Sequence, residues 1–350
     1  MIPTVSLALQ GGGSHGAFSW GVLDRLLQEV GSGRLAVSAV SGTSAGALNA
    51  ALMVSGLAQG GSAAGGADLA QRKLETFWRG VSRQGARAGN DLFFAEPSLF
   101  GFNLDYSPVG IALEAAGLVV SPYTNPFYQD ALAPLLADAL TAQDLAAINS
   151  SDLKLFATAT NVTTNGRRVF TQPGITLDTL RASAALPSLF RAVFIGGDPY
   201  WDGGYLGNPA LNPLLPHADD LLLVLVNALH RDGMPPRGAR GILDRLNEIT
   251  FNASVVLELN AVQAINTMLA ELAAAGTAYA GRYRTIRTHA IRNDAFVESL
   301  GFVSKSATSW SFLSTLHDAG YETADQWLRV HEGDVGRTAT FDAKKELALL

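Results

Sequence analysis

Ser44 is the centre of Gly42-Thr43-Ser44-Ala45-Gly46, a G-x-S-x-G pattern between a short apolar run and an Ala- and Leu-rich one. A serine hydroxyl becomes a nucleophile only when a base takes its proton and fixed donors receive the charge that develops on the attacked carbonyl. A sharp strand-to-helix turn presents such a serine. It needs small residues two before and two after, because strand and helix approach too closely there for side chains. The N-terminus of the following helix adds amides and the positive end of a dipole. The plainer reading of the same five residues is a Gly-rich turn with a capping serine.

A second glycine-rich block, Gly11-Gly12-Gly13-Ser14-His15-Gly16, satisfies G-x-G-x-x-G after a strand and at a helix start. A dinucleotide site would also need an acidic residue roughly 20 positions on, at the end of the second strand. That strand ends Ala39-Val40-Ser41-Gly42, and Glu29 falls on the helix before it. No Gly-Lys-Ser/Thr follows, which excludes a P-loop. The 6 histidines, His15, His217, His230, His289, His317 and His331, form no H-E-x-x-H or Cys/His cluster, so neither a metal nor a cofactor is expected. A Ser-His-Asp triad of the α/β-hydrolase type would draw on His217 or His230. In that fold, however, the nucleophile follows a late strand of the sheet, and here it follows the second.

These residues need a scaffold of alternating strands and helices. Ile2 to Leu9 reads as a buried strand, His15 to Val30 as an amphipathic helix, Leu35 to Val40 as a second strand and Ala45 to Leu57 as a second helix. Such alternation implies parallel crossovers and helices on both faces of a sheet. Gln59 to Ala67 reads as a low-complexity surface loop. Phe93 to Tyr128 is rich in aromatics and broken by prolines, either a cap over a site or core under irregular connections. Leu153 to Val162 reads as a strand with Arg168 to Thr171 as its hairpin partner. A helix over Leu177 to Ala185, a strand over Ala192 to Ile195 and a tight turn from Gly196 to Gly204 around Asp202 follow. Leu221 to Val226 is the clearest buried strand, and helical patterns cover Ile242 to Ala275 and Trp310 to Leu328.

The composition fits a globular chain with a substantial core and excludes wholesale disorder. Of 350 residues 48% are hydrophobic and 16% charged, with 36 glycines, no cysteine and a net charge of −6. The negative balance argues against nucleic acid as a partner, and the missing cysteines exclude disulfide and thiolate chemistry. No Lys or Arg precedes Arg25, and polar residues interrupt the uncharged stretch from Leu35 to Ala67. Neither a signal peptide nor a transmembrane helix is therefore expected, and the reading is a cytoplasmic protein with room for peripheral membrane contact.

Four blocks stand in order: Gly11 to Gly16, Gly42 to Gly46, Arg181-Ala182-Ser183-Ala184-Ala185-Leu186-Pro187-Ser188-Leu189-Phe190, and Asp202-Gly203-Gly204. Together they resemble the patatin-like phospholipases, over roughly Val5 to Val226. The resemblance implies a three-layer α/β/α fold with a mostly parallel sheet, and a lipid acyl hydrolase with a Ser–Asp dyad. Carried over by position, Ser44 is the nucleophile and Asp202 the general base. Gly12, Gly13 and Ser14 supply oxyanion amides, Gly42 and Gly46 form the elbow, and the substrate is a lipid or other acyl ester. Residues 1–230 would then form the catalytic core and 231–350 a helical extension packed on it. His15 departs from the Arg or Lys that the family usually carries in the Gly-rich block, and a neutral imidazole would serve an anion only weakly. Two other classes stay open on the residues alone: a nucleotide-binding oxidoreductase and a catalytically inactive lipid-binding module.

Overall fold

Strand β1 (Thr4–Leu9) sends Val5, Leu7 and Leu9 into one apolar core and Ala8 into another, on the opposite face. A strand covered on both faces must be apolar along its length, which is why it carries no charge. The computed structural model describes residues 2–87, 121–231, 234–276 and 283–347. After α1 (Gly16–Gly31) come β2 (Ala36–Thr43), α2 (Ala45–Gln59), α3 (Ala63–Arg87), α4 (Leu132–Ala139), α5 (Ala142–Ser150), β3 (Lys154–Asn161) and β4 (Gly166–Thr171). The chain continues through α6 (Leu177–Ser183), β5 (Val193–Ile195), β6 (Asp198–Asp202), β7 (Asp220–Val224) and α7 (Ala239–Ala274). It closes with β8 (Arg287–Ile291), α8 (Asp294–Glu298), α9 (Trp310–His331) and α10 (Ala343–Glu346).

The strands form one sheet in the order β5-β6-β3-β2-β1-β7-β8, with β4 also on β3. From β3 to β8 the neighbours are parallel, whereas β4, β5 and β6 pair antiparallel. The larger core lies on one face, under α1, α2, α3, α6 and α9. Val255, Leu259 and Val262 of α7 cover the other face with Leu211, Leu214 and Ala343. This is the three-layer α/β/α arrangement.

The register of β3 decides where the chemistry can occur. One edge of β3 is taken by β4 from Phe156 to Asn161. The other edge is shared: β2 holds it as far as Thr43, opposite Thr158, and β6 takes over with Asp202, opposite Ala159. The end of β2 and the end of β6 therefore abut.

Three expectations need correction. The Gln59 to Ala67 run is not a loop, since α2 continues to Gln59 and α3 starts at Ala63. Its glycines instead let two helix ends meet backbone to backbone: a Cβ on Gly60 would sit 2.0 Å from the Gly66 amide nitrogen. The Gly196 to Gly204 segment is a turn only at its start, and Asp198–Asp202 is strand, because the edge of β3 beyond Thr158 offers it a partner. The chain after 231 is not only helical: β8 extends the sheet beside β7. Of the aromatic segment, residues 93–120 lie outside the described residues.

Candidate active site

Ser44 leaves β2 with φ 54° and ψ −130°, a backbone conformation that a side chain rarely adopts. Both flanking glycines are sterically required. A Cβ on Gly42 would lie 2.4 Å from the Gly46 carbonyl oxygen, and one on Gly46 would lie 2.3 Å from that of Leu9. The Ser44 carbonyl accepts the first bonds of α2, from the amides of Ala47 at 2.9 Å and Leu48 at 3.2 Å. The Ser44 amide points the other way and donates to the carbonyl and the Oγ of buried Ser183, both at 3.1 Å. Thr43 Oγ1 donates to the Gly207 carbonyl, so the strained residue is held on both sides.

Asp202 is 1% exposed and accepts a hydrogen bond from the Gly204 amide at 2.7 Å, with the Ser44 side chain close enough to favour its charged form. Burial raises its pKa to about 6, and the Gly204 amide and the Ser44 side chain pull the other way. Its own amide donates to the Ala185 carbonyl at 2.9 Å, and its carbonyl accepts from Thr160 Oγ1 at 2.9 Å. The Arg181 to Phe190 block therefore ties down both residues, Ser44 through Ser183 and Asp202 through Ala185. No role for Ser183 or Ala185 was legible in advance, because their contacts are largely to backbone. Beside Asp202, the Tyr205 hydroxyl is pushed up to about 12 by burial and by the Asp202 charge, so it stays protonated.

The first glycine block lies directly on Ser44. A Cβ on Gly11 would be 2.7 Å from Ser44 Cβ, one on Gly12 would be 2.8 Å from Val226 Cγ2, and one on Gly13 would be 2.4 Å from the Lys305 carbonyl. Gly13 also has φ +59°. Backbone bonding in this turn starts with the His15 amide on the Gly12 carbonyl at 3.2 Å. The amides of Gly12, Gly13 and Ser14 precede that first bond, the place of the orphan donors at the start of a helix. The loop is braced by two residues the motifs do not include. Asn208 Oδ1 accepts from the Gly11 amide at 2.7 Å, and Gln10 Oε1 accepts from the Val226 and Asn227 amides at 2.9 Å each.

His15 is buried, and its ring shares a hydrogen bond with Ser304 Oγ at 2.7 Å. The Ser304 hydroxyl donates to the Gly301 carbonyl, which leaves His15 Nε2 as the donor in the His15–Ser304 bond. Burial, reinforced by the nearby Lys305 charge, lowers its pKa to about 3. The cation beside the loop is Lys305, whose Nζ donates to Asn227 Oδ1 at 2.8 Å and to Asn247 Oδ1 at 3.2 Å.

Ser44, Asp202, Gly12, Gly13, Ser14, Gly42 and Gly46 thus converge on one place at the carboxyl ends of the parallel strands. The other histidines do not join them. His217 precedes β7, at the opposite end of the sheet, with its ring 5.7 Å from that of Phe156. His230 interacts with Asp294, and His289 bonds to Asp220 and Thr340. No group of three metal-binding side chains occurs among the described residues.

No curated protein matches the chain. A solved structure it resembles is VipD from Legionella pneumophila, at 16% identity and a TM-score of 0.39, over 93% of this chain and 67% of that one. The family model for patatin-like phospholipases matches residues 7–215, well over half of the 350 residues and spanning all four motif blocks. The chain belongs to the patatin-like phospholipase family.

Proposed function

We propose that the protein is a serine acyl hydrolase that cleaves lipid esters through a dyad of Ser44 and Asp202. The observation that carries this reading is the placement of Ser44, directly after Thr43 at the end of β2, against the buried Asp202 at the end of β6, on one edge of β3 and with no intervening imidazole. As Ser44 Oγ attacks the acyl carbonyl, its proton passes to Asp202, and the new oxyanion accepts hydrogen bonds from the amides of Gly12, Gly13 and Ser14. Collapse breaks the ester bond, and the leaving alcohol takes the proton from Asp202. Water, deprotonated by the same carboxylate, then releases the acid and restores Ser44.

A carboxylate is a weak base for a serine hydroxyl, whose proton is some ten units less acidic. Burial narrows the gap by raising Asp202 to about 6, and the oxyanion amides stabilise the charge as the proton leaves. Support for lipid comes from the family and from the apolar Tyr205 and Phe251 rings, 5.5 Å apart beside Asp202.

The test is labelling with a fluorophosphonate followed by mass mapping. The adduct is expected on the peptide that contains Ser44 and is expected to vanish in Ser44→Ala. An adduct elsewhere, or none on a folded protein, removes the assignment.

A further inference from the structure

Asn49 lies on α2, little more than one turn after Ser44, and is fully buried. A carboxamide removed from water costs free energy unless both its donor and its acceptor find partners. Here both do. Its Nδ2 donates to the Gly16 carbonyl at 2.8 Å, and its Oδ1 accepts from the Trp78 indole Nε1 at 3.0 Å. The partners fix the orientation, because an indole N–H only donates and a carbonyl only accepts, so the amide fits one way round. A carboxylate there could not donate, and a leucine could do neither.

Two of the three elements that meet at Asn49 carry the candidate site. Gly16 opens α1 directly after the Gly loop, Asn49 belongs to the helix that Ser44 starts, and Trp78 reaches in from α3. The first turns of α1 and α2 are in contact. A Cβ on Gly16 would lie 2.5 Å from Cβ of Ala45, the residue after Ser44, and 3.2 Å from the Trp78 ring. Gly16 also reaches back into the loop, since its amide donates to the Gly13 and Ser14 carbonyls. A trans peptide holds its C=O and N–H antiparallel in one plane. The Gly13 carbonyl held on Gly16 therefore aims the Ser14 amide the opposite way, and Asn49 in turn holds Gly16 to α2.

We propose that Asn49 is a positioning residue: by tying the first turn of α1 to α2 it sets the Gly12–Ser14 amides relative to Ser44, and Trp78 keeps its amide in the donating orientation. This rests on the acyl-hydrolase reading and deepens it. Asn49 touches no substrate and acts through Gly16. Its effect follows from how steeply catalysis depends on geometry, since a misplacement of about 1 Å set from outside the reacting centre can cost on the order of 10²-fold. The charge those amides receive develops only in the transition state, so the loss falls on kcat and leaves KM nearly unchanged.

Asn49→Leu keeps roughly the volume and removes both bonds. On a soluble p-nitrophenyl ester it is expected to lower kcat at least about tenfold with KM within about twofold. In a Gly12→Ala background, where the loop is already displaced, the same change should cost less than about threefold more. A residue that only supports the fold would cost the same factor in both backgrounds. Trp78→Phe removes the orienting donor and leaves Asn49 in place, so it should lower kcat less, and adding it to Asn49→Leu should cost less than about twofold further. Hydrogen exchange followed by mass spectrometry reads the geometry without turnover. The peptide over residues 11–16 should exchange at least about threefold faster in Asn49→Leu, with residues 4–9 of β1 unchanged. A kcat within twofold of wild type, an undiminished loss in Gly12→Ala, or exchange that rises equally in β1 overturns the proposal. If Asn49→Leu does not fold, Trp78→Phe is judged by the same kcat and exchange readings. Failure of Ser44 labelling would remove the hydrolase reading and leave the exchange result standing, so the two are separable.

Discussion

Ser44 and Asp202 meet at a splice in the sheet. Ser44 follows Thr43, which pairs with Thr158, and Asp202 pairs with the next residue, Ala159, on the same edge of β3. The parallel strand stops, the chain turns through the elbow, and an antiparallel strand arrives to fill the vacated edge. Sheet hydrogen bonding thus sets the separation of Ser44 and Asp202, and backbone contacts to Ser183 and Ala185 hold each end.

This arrangement fixes a pH dependence. Asp202 acts as a base only when ionised, and its pKa is raised to about 6. The kcat/KM for a soluble ester is therefore expected to rise with pH through a single limb near 6 and then level off. His15, held near 3, contributes no limb in the neutral range. A limb that persists in Asp202→Asn would point to another base.

The same burial opposes stability. The folded pKa lies above the ordinary aspartate value of about 3.9, so between the two the native chain retains a proton that the unfolded chain has already released. Stability consequently falls as pH rises from about 4 to about 6 and stays lower above it. Asp202→Asn keeps an acceptor for the Gly204 amide and carries no charge. At pH 8 it should melt higher than wild type, by on the order of 2–3 kcal/mol at most, and the gain should disappear near pH 4. Calorimetry at the two pH values measures this, and a variant less stable at pH 8 contradicts it.

Gly12 and Val226 are coupled through space. A Cβ on Gly12 would meet only the Val226 side chain within 3 Å, and Gly12 has an extended φ of −177° that any residue adopts. Gly12→Ala is expected to lower kcat about 10²-fold by displacing an oxyanion amide. Adding Val226→Ala should recover at least tenfold of that loss, a coupling of about 1.4 kcal/mol in a double-mutant cycle. Independent effects of the two changes would return the loop to a structural role.

His15 and Lys305 form a second coupled pair. A buried neutral imidazole tolerates the neighbouring ammonium, whereas a second cation would not be tolerated. His15→Lys is expected to destabilise the protein by a few kcal/mol in urea unfolding, and Lys305→Met in the same chain should restore most of it. Additive losses would show that the position responds to volume and not to charge.

Much of the site was legible because its local demands are steric. Gly42 and Gly46 mark the elbow since no side chain fits, and the apolar runs of β1 and β7 mark strands covered on both faces. Hidden elements depend on partners distant in the chain. Asp198–Asp202 reads as turn from its Gly and Pro neighbours and becomes strand only because β3 has a free edge. β8, Arg-Thr-His-Ala-Ile, is short and half polar, and its Arg287 and His289 are accommodated by Asp220 at the start of β7. Asn208 and Gln10 brace the Gly loop by side-chain bonds to backbone, which leave no periodic trace in sequence.

The central claim is that Asp202, and no histidine, takes the proton from Ser44. The most direct measurement is kcat/KM on a soluble p-nitrophenyl ester at pH 8 for Asp202→Asn, His217→Ala and His230→Ala, at equal folded concentration. The dyad requires a loss of about 10²–10⁴-fold for Asp202→Asn, the usual contribution of a positioned base, and less than about threefold for either histidine variant. A histidine variant as inactive as Asp202→Asn would contradict it and put a Ser-His-Asp triad in its place.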